Sequence, residues 1–209
     1  MYGFQKEVMT MDLRTKKTRR AIREAFLHLR AKKPLERITV KELAELAEIS
    51  KATFYLHYQD IYDLSQQLQR ETVEQALGHI PQPEEFLENP MQFMQDVVHS
   101  FSVQREVTQV LFSGTQSSQF PALIEEAFLQ YYSRHFPNLE QDAKFRTFLT
   151  YQVYGSYYAF TNNVDIFQRR PVLEALHDLS KALFVSEGHH HTADIAVPSD
   201  RQSNPDRSI

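Results

Sequence analysis

Residues 49–60 read ISKATFYLHYQD. A lysine, a threonine, a histidine and two tyrosines fall within about two turns of helix, with one phenylalanine among them. A helix built only to pack carries more Leu, Ile and Val, and one built only to stay in water carries Glu and Lys without aromatics. On a wheel of about 100° per residue, Phe54 and Tyr58 fall roughly 40° apart. Phe54 and the ring of Tyr58 therefore anchor the segment, on Val40, Leu43, Ala47 and Ile49. The remaining side chains face outward. Lys51 can reach a phosphate or a guanine, and Thr53, Tyr55 and His57 can donate to phosphate oxygens. Ala52 and Leu56 can touch thymine methyl groups. This is chemistry suited to a nucleic-acid duplex.

A basic run, RTKKTRR at 14–20, precedes this stretch and supplies attraction that is independent of sequence and weakened by salt. The charge of the whole chain hides an asymmetry. Residues 1–58 hold 13 Lys+Arg against 7 Asp+Glu, a net +6, and the remainder holds 10 against 20, a net −10. A basic first quarter joined to an acidic remainder points to a polyanion as the partner of the first part alone.

Catalytic motifs are missing. The nine histidines include His79, His99, His135 and His177, widely spaced, and no HExxH or GxSxG sequence occurs. With 5 glycines there is no Gly-rich phosphate loop, and with no cysteine there are no disulfides, thiolate metal sites or thiol nucleophiles. The expectation is a protein that is not an enzyme and needs no cofactor or metal. No run of 18 apolar residues predicts a membrane span, and no apolar block resembles a secretion signal. The absence of cysteine agrees with a cytoplasmic setting.

The elements that position the outward set are legible from periodicity and breakers. From about Thr15, Ile22, Ala25, Phe26 and Leu29 recur at three- and four-residue steps, and Pro34 ends the helix. Thr39 caps a second helix, VKELAELAE, with Glu42 placed as in a capping box. Ser50 caps a third, and Asp60 a fourth that runs to about His79. Helical patterns follow near 91–102, 104–112, 121–135, 141–163 and 171–185, and none shows strand alternation. The chain is predicted to be all-α with about nine helices. The tail from 187 to 209 is polar and aperiodic and is predicted to be disordered.

The stretch RITVKELAELAEISKATFYLHYQDIYDL, with TRRAIREAF before it, resembles the DNA-binding domain of the TetR/AcrR family of transcriptional regulators. The resemblance covers about residues 15–65. It implies an N-terminal three-helix helix-turn-helix domain at 13–60 and a larger helical effector-binding and dimerisation domain at 61–186. It further implies a cytoplasmic homodimer that binds double-stranded DNA at a palindromic operator as a repressor and is released by a small-molecule effector. Carried over by position, Thr39, Lys41, Ser50, Lys51, Thr53, Tyr55, Leu56 and His57 contact DNA, and Tyr58 is shared between core and DNA backbone. Two positions depart from the pattern: Glu48 stands where a turn glycine is common, and Ile61 where a phosphate-binding lysine is common. These departures keep open an alternative, a protein-interaction module or coactivator of the same fold that does not itself read DNA.

The second domain resembles the family only weakly. Residues 86–167 hold 17 of the 25 Phe+Tyr. A pocket for the effector is expected among the helices at 91–112, 121–135 and 141–163, with Phe93, Phe101, Phe112, Phe128, Tyr132 and Tyr151 as its ligand-binding residues. Phe148, Tyr151, Gly155 and Tyr158 share one face of the penultimate helix, which by the resemblance joins the last helix in an intersubunit four-helix bundle.

Overall fold

The computed structural model describes residues 2–78, 90–135 and 141–186. Among these the chain is all-helical, with nine α-helices and no strand. They are α1 (Tyr2–Arg30), α2 (Val40–Leu46), α3 (Lys51–Tyr55), α4 (Ile61–Leu77), α5 (Pro90–Val103), α6 (Arg105–Leu111), α7 (Gln119–His135), α8 (Ala143–Phe167) and α9 (Arg169–Ser186). Two single 3-10 turns, Leu35–Arg37 and Gly114–Gln116, lie after α1 and α6. The tail and His79 lie outside the described residues.

Helix α1 starts at Tyr2 rather than near Thr15. Residues 2–14 contain no proline and include Gln5, Lys6, Glu7, Met9, Met11, Leu13 and Arg14, all good helix formers, so the core helix propagates backward. The other starts follow their caps. Thr39 accepts from the Glu42 N–H at 3.3 Å, Ser50 from the Thr53 N–H at 2.9 Å, and Asp60 from the Asp63 N–H at 2.8 Å. The expected capping box at α2 is only half made. The Glu42 carboxylate pairs with Lys33 instead of reaching back to the Thr39 N–H. An ammonium is the stronger partner for a carboxylate than a neutral amide.

The turn between α2 and α3 is a Schellman motif. The Ile49 N–H donates to the Ala44 carbonyl at 2.9 Å, and the Glu48 N–H to that of Glu45 at 3.3 Å. Glu48 takes φ 55°, the left-handed conformation that favours glycine. The sequence departure at this position is thus borne by a non-glycine residue, at a cost of roughly 1–2 kcal/mol.

Packing is continuous. One apolar cluster runs from Ile22, Phe26 and Leu29 of α1 through Leu43, Phe54 and Tyr58 to Leu64 and Leu68 of α4, then to Val97, Leu111, Phe128, Tyr132 and Leu149. Helix α1 packs on α2 and on α6, while α4 packs on α5, α6 and α7. The core crosses residue 60 without a break, and α4 belongs to it on both sides. Ile61 is buried in this core, which explains an apolar residue at the start of α4. Helices α8 and α9 pack on each other through a junction at Gln168.

Candidate nucleic-acid interface

Helix α3 is short, and its attachment decides what it shows to solvent. Phe54 is fully buried, and Tyr58 lies 5.7 Å from it, ring to ring, with 3% exposed. The helix ends at Tyr55, but the His57 and Tyr58 N–H groups both donate to the Phe54 carbonyl, at 2.9 and 3.1 Å, so the turn continues through 58. The anchoring pair of the wheel is therefore the anchoring pair of the structure.

The expected outward residues divide into two groups. Thr39, Lys41, Ser50, Lys51, Ala52, Tyr55 and Leu56 are exposed. Tyr55 shows 57% of its surface and Leu56 83%. The Tyr55 ring meets Phe54 edge-on at 5.5 Å, which fixes its direction. Thr53 and His57 are only half-buried. The Thr53 and Ser50 hydroxyls are 2.8 Å apart and bonded to each other, so each has part of its hydrogen-bonding capacity left for a ligand. Lys41 lies within 4.0 Å of Glu45, a pair exposed enough to be worth little and to exchange readily for another anion.

Tyr58 is held by a partner within the chain. Its ring is interior as expected, but its hydroxyl does not face outward. It accepts from Arg19 Nε at 3.4 Å, with the guanidinium 5.9 Å from the ring centre. Arg19 also pairs with Glu71 of α4 at 3.2 Å. The hydrogen bond and charge interaction with Tyr58, followed by Glu71, hold the Arg19 pKa above its ordinary value. Tyr58 is a bracket that joins α1, the end of the α3 turn and α4, because burying its ring requires an internal partner for the hydroxyl. Sequence periodicity could not assign this role, since Arg19 is one of several cations on one helix.

In the basic run Arg19 is engaged as above, and Arg20 pairs with Glu24 at 2.8 Å. Arg14 and Lys17 are exposed on α1. Two carboxylates mark the opposite border. Asp60 caps α4, and Asp63 accepts from the Gln59 N–H at 2.8 Å. These carboxylates meet free N–H groups at the α4 N-terminus that could otherwise hold a phosphate. Tyr62 is half-exposed beside them and was not singled out from the sequence. Its signal was the wheel of α4, in which Ile61, Leu64 and Leu68 face inward.

The five expected effector-binding residues whose side chains are described are divided between core and surface. Phe112, Phe128 and Tyr132 are buried members of the core, and Phe101 is packed against it. Phe101 and Phe112 each meet Phe120 edge-on at 4.8 Å, and Tyr132 meets Phe145 at 5.1 Å. The side chain of Phe93 lies outside the described residues. Tyr151 is 61% exposed on the outside of α8. A cleft of about 270 Å³ lies elsewhere, lined by Arg30, Lys33, Pro34, Leu35, Glu36, Ser113, Gly114 and Thr115. On α8 and α9, Tyr151, Tyr158, Ile166, Phe167 and Leu179 are large exposed apolar side chains. Gly155 is exposed, and a Cβ there would meet nothing within the chain.

Among the described residues no group of His, Asp and Glu could hold a metal ion, and no helix is long and apolar enough to cross a membrane. The arrangement defines a helical protein that presents a short, capped helix with a basic and aromatic outer face. Comparison with known protein families, with curated proteins and with solved structures found no match to the chain.

Proposed function

We propose that the protein is a sequence-specific DNA-binding transcriptional regulator of the TetR type, acting as a homodimer on a palindromic operator and released by a small-molecule effector. One observation carries the proposal: α3 is pinned by Phe54 and Tyr58 and leaves Lys51, Ala52, Tyr55 and Leu56 exposed, with Thr39 and Lys41 exposed at the start of α2. A rigid helix with a cation, an aromatic hydroxyl and small apolar contacts on one face matches the edges of bases in a major groove. Thr39 and Ser50 cap the N-termini of α2 and α3, where the helix dipole favours phosphates. The charge asymmetry supports the same face. Dimer formation is supported by the exposed apolar row on α8 and α9 and by Gly155, whose missing side chain is not required by packing within one chain.

The test is selection from a randomised duplex pool followed by a mobility-shift titration at several salt concentrations. Tyr55→Ala should weaken the selected site by about 1–3 kcal/mol and relax base preference. Lys51→Ala should lower the salt slope by about one unit per subunit. Gly155→Leu should shift the sedimentation mass toward the monomer. The proposal fails if no duplex forms a salt-sensitive, sequence-preferring complex. A second reading, a protein-interaction module of the same fold, is favoured by the exposed Leu46, Leu56 and Tyr62 together with the Asp60 and Asp63 carboxylates. It predicts that Leu56→Asp, with the fold intact, abolishes binding to a protein partner in a chain that binds no duplex.

A further inference from the structure

Arg30 is the last residue of α1, 6% exposed, and no carboxylate is bonded to it. Its Nη1 donates to the Lys33 carbonyl at 3.1 Å. Its Nη2 donates to the Ser113 carbonyl at 3.4 Å and to the Ser113 hydroxyl at 2.8 Å. Its Nε is buried without an acceptor. The cation therefore sits between the C-terminal ends of α1 and α6, where helix dipoles and free carbonyls favour positive charge. Burial lowers the Arg30 pKa, and Glu36 only partly opposes this. A second bond runs parallel: the Thr115 hydroxyl donates to Glu36 at 2.7 Å. Gly114 lies between Ser113, which accepts from Arg30, and Thr115, which donates to Glu36, and it takes φ 59°; a Cβ there would meet nothing within 4 Å. Glycine is needed for the backbone path that lets Ser113 and Thr115 both face α1 and the turn after it, not for space.

We infer that Arg30, Glu36 and the loop 113–115 form a polar clasp that sets the angle at which the α2–α3 surface is held on the rest of the protein. The clasp reaches the interface in two steps. The Lys33 carbonyl accepts from Arg30, and the Lys33 ammonium pairs with Glu42 in the first turn of α2, whose N–H is held by Thr39. The end of α6, which leads into this loop, is tied to α4, since Gln69, itself 1% exposed, donates to the Leu111 carbonyl at 3.0 Å. A shift of residues 111–115 is thus delivered to α2 through the clasp and to α4 through Gln69. Neutral donors and acceptors that share one buried cation have few alternative arrangements, so the clasp transmits displacement rather than absorbing it.

The functional side of this inference rests on the DNA-binding proposal, and the experiment separates the two. The full chain would be compared with Ser113→Ala, Arg30→Met, their double variant and Gly114→Ala. Ser113 is exposed, so its truncation leaves folding intact even where Arg30→Met does not. On a site selected from a duplex pool, lengthening the spacer by one base pair moves the half-sites apart by about 3.4 Å. The clasp predicts that Ser113→Ala and Gly114→Ala reduce discrimination between the two spacers by at least about five-fold. Single-base substitutions within a half-site should still cost the same. A merely destabilised protein would lose affinity for every site equally, and an unchanged spacer ratio overturns the clasp. If the wild-type chain binds no duplex selectively, the functional proposal has failed and the clasp is judged by hydrogen exchange alone. Arg30→Met, or Ser113→Ala if the former does not fold, should then speed exchange at both 40–47 and 111–117, and the double variant should add nothing to Arg30→Met. Faster exchange on one side only, or independent effects in the double variant, overturns it.

Discussion

Replacing Glu48 by glycine should stabilise the protein. Glu48 is the C′ residue of the Schellman motif that ends α2, and its φ of 55° is imposed by the two backbone bonds at Ile49 and Glu48. An L-residue in this conformation costs roughly 1–2 kcal/mol because Cβ approaches the following carbonyl. Glycine avoids that contact but gives up roughly 0.5–1 kcal/mol of extra entropy in the unfolded chain. The difference leaves about 0.5–1 kcal/mol in favour of Glu48→Gly, or a rise of about 1–4 °C in Tm for a chain of this size. The control is Glu48→Ala, which removes the charge and keeps the Cβ. Urea titration and thermal scans of the three proteins would read the ranking directly. The argument is refuted if Glu48→Ala is as stable as Glu48→Gly, because the gain would then come from charge and not from backbone geometry. In the duplex assay both variants should bind somewhat more tightly at low salt, since each removes a negative charge beside α3.

Other positions give independent checks. Phe54→Ala should cost about 3–5 kcal/mol in denaturant titration, because Phe54 is fully buried under α3 and holds Tyr55 and Tyr58; a cost below about 1 kcal/mol would deny it the anchoring role. Gln168 joins α8 to α9 at φ 67° and ψ 166°, a region used almost only by glycine, so Gln168→Gly should raise the unfolding midpoint by an amount equivalent to about 1 kcal/mol, whereas Gln168→Ala should not. The Thr115 hydrogen bond is the main cause that lowers the Glu36 pKa, so its contribution is present above the unfolded carboxylate pKa, about 4.3, and is lost as pH falls through the lower folded value. The stability difference between wild type and Thr115→Val should therefore shrink below about pH 4, and a difference that stays constant from neutral to acid pH would show that the bond does not form.

Much of the helical architecture was written in local signals. Caps at Thr39, Ser50 and Asp60, the breaker at Pro34 and three- and four-residue apolar steps act within one turn, and each appears in the structure where those signals place it. The pairing of Phe54 with Tyr58 is also local, since residues four apart on a helix share a face whatever surrounds them. Periodicity alone could have flagged Arg30, which continues the buried Ile22–Phe26 row of α1. It could not show that the acceptors would come from Ser113, which lies 83 residues away.

Tertiary structure decided what local signals leave open. An aromatic side chain on an amphipathic helix can line a cavity or fill a core, and only the approach of α7 and α8 settles that Phe112, Phe128 and Tyr132 fill it. Tyr151 lies on α8 in a similar aromatic pattern, yet it is exposed, on a side of α8 that no other described helix covers. Glu42 could cap α2 or pair with a cation, and the nearness of Lys33 decided for the cation. Tyr58 could have reached outward, and Arg19 and Glu71, brought together from α1 and α4, hold its hydroxyl inside. The sequence by itself determined which helices form and which side of α3 is held, because those depend on neighbours within one turn. The partners of buried polar groups and the fate of each aromatic ring depended on which helices meet, and that only the packed chain decides.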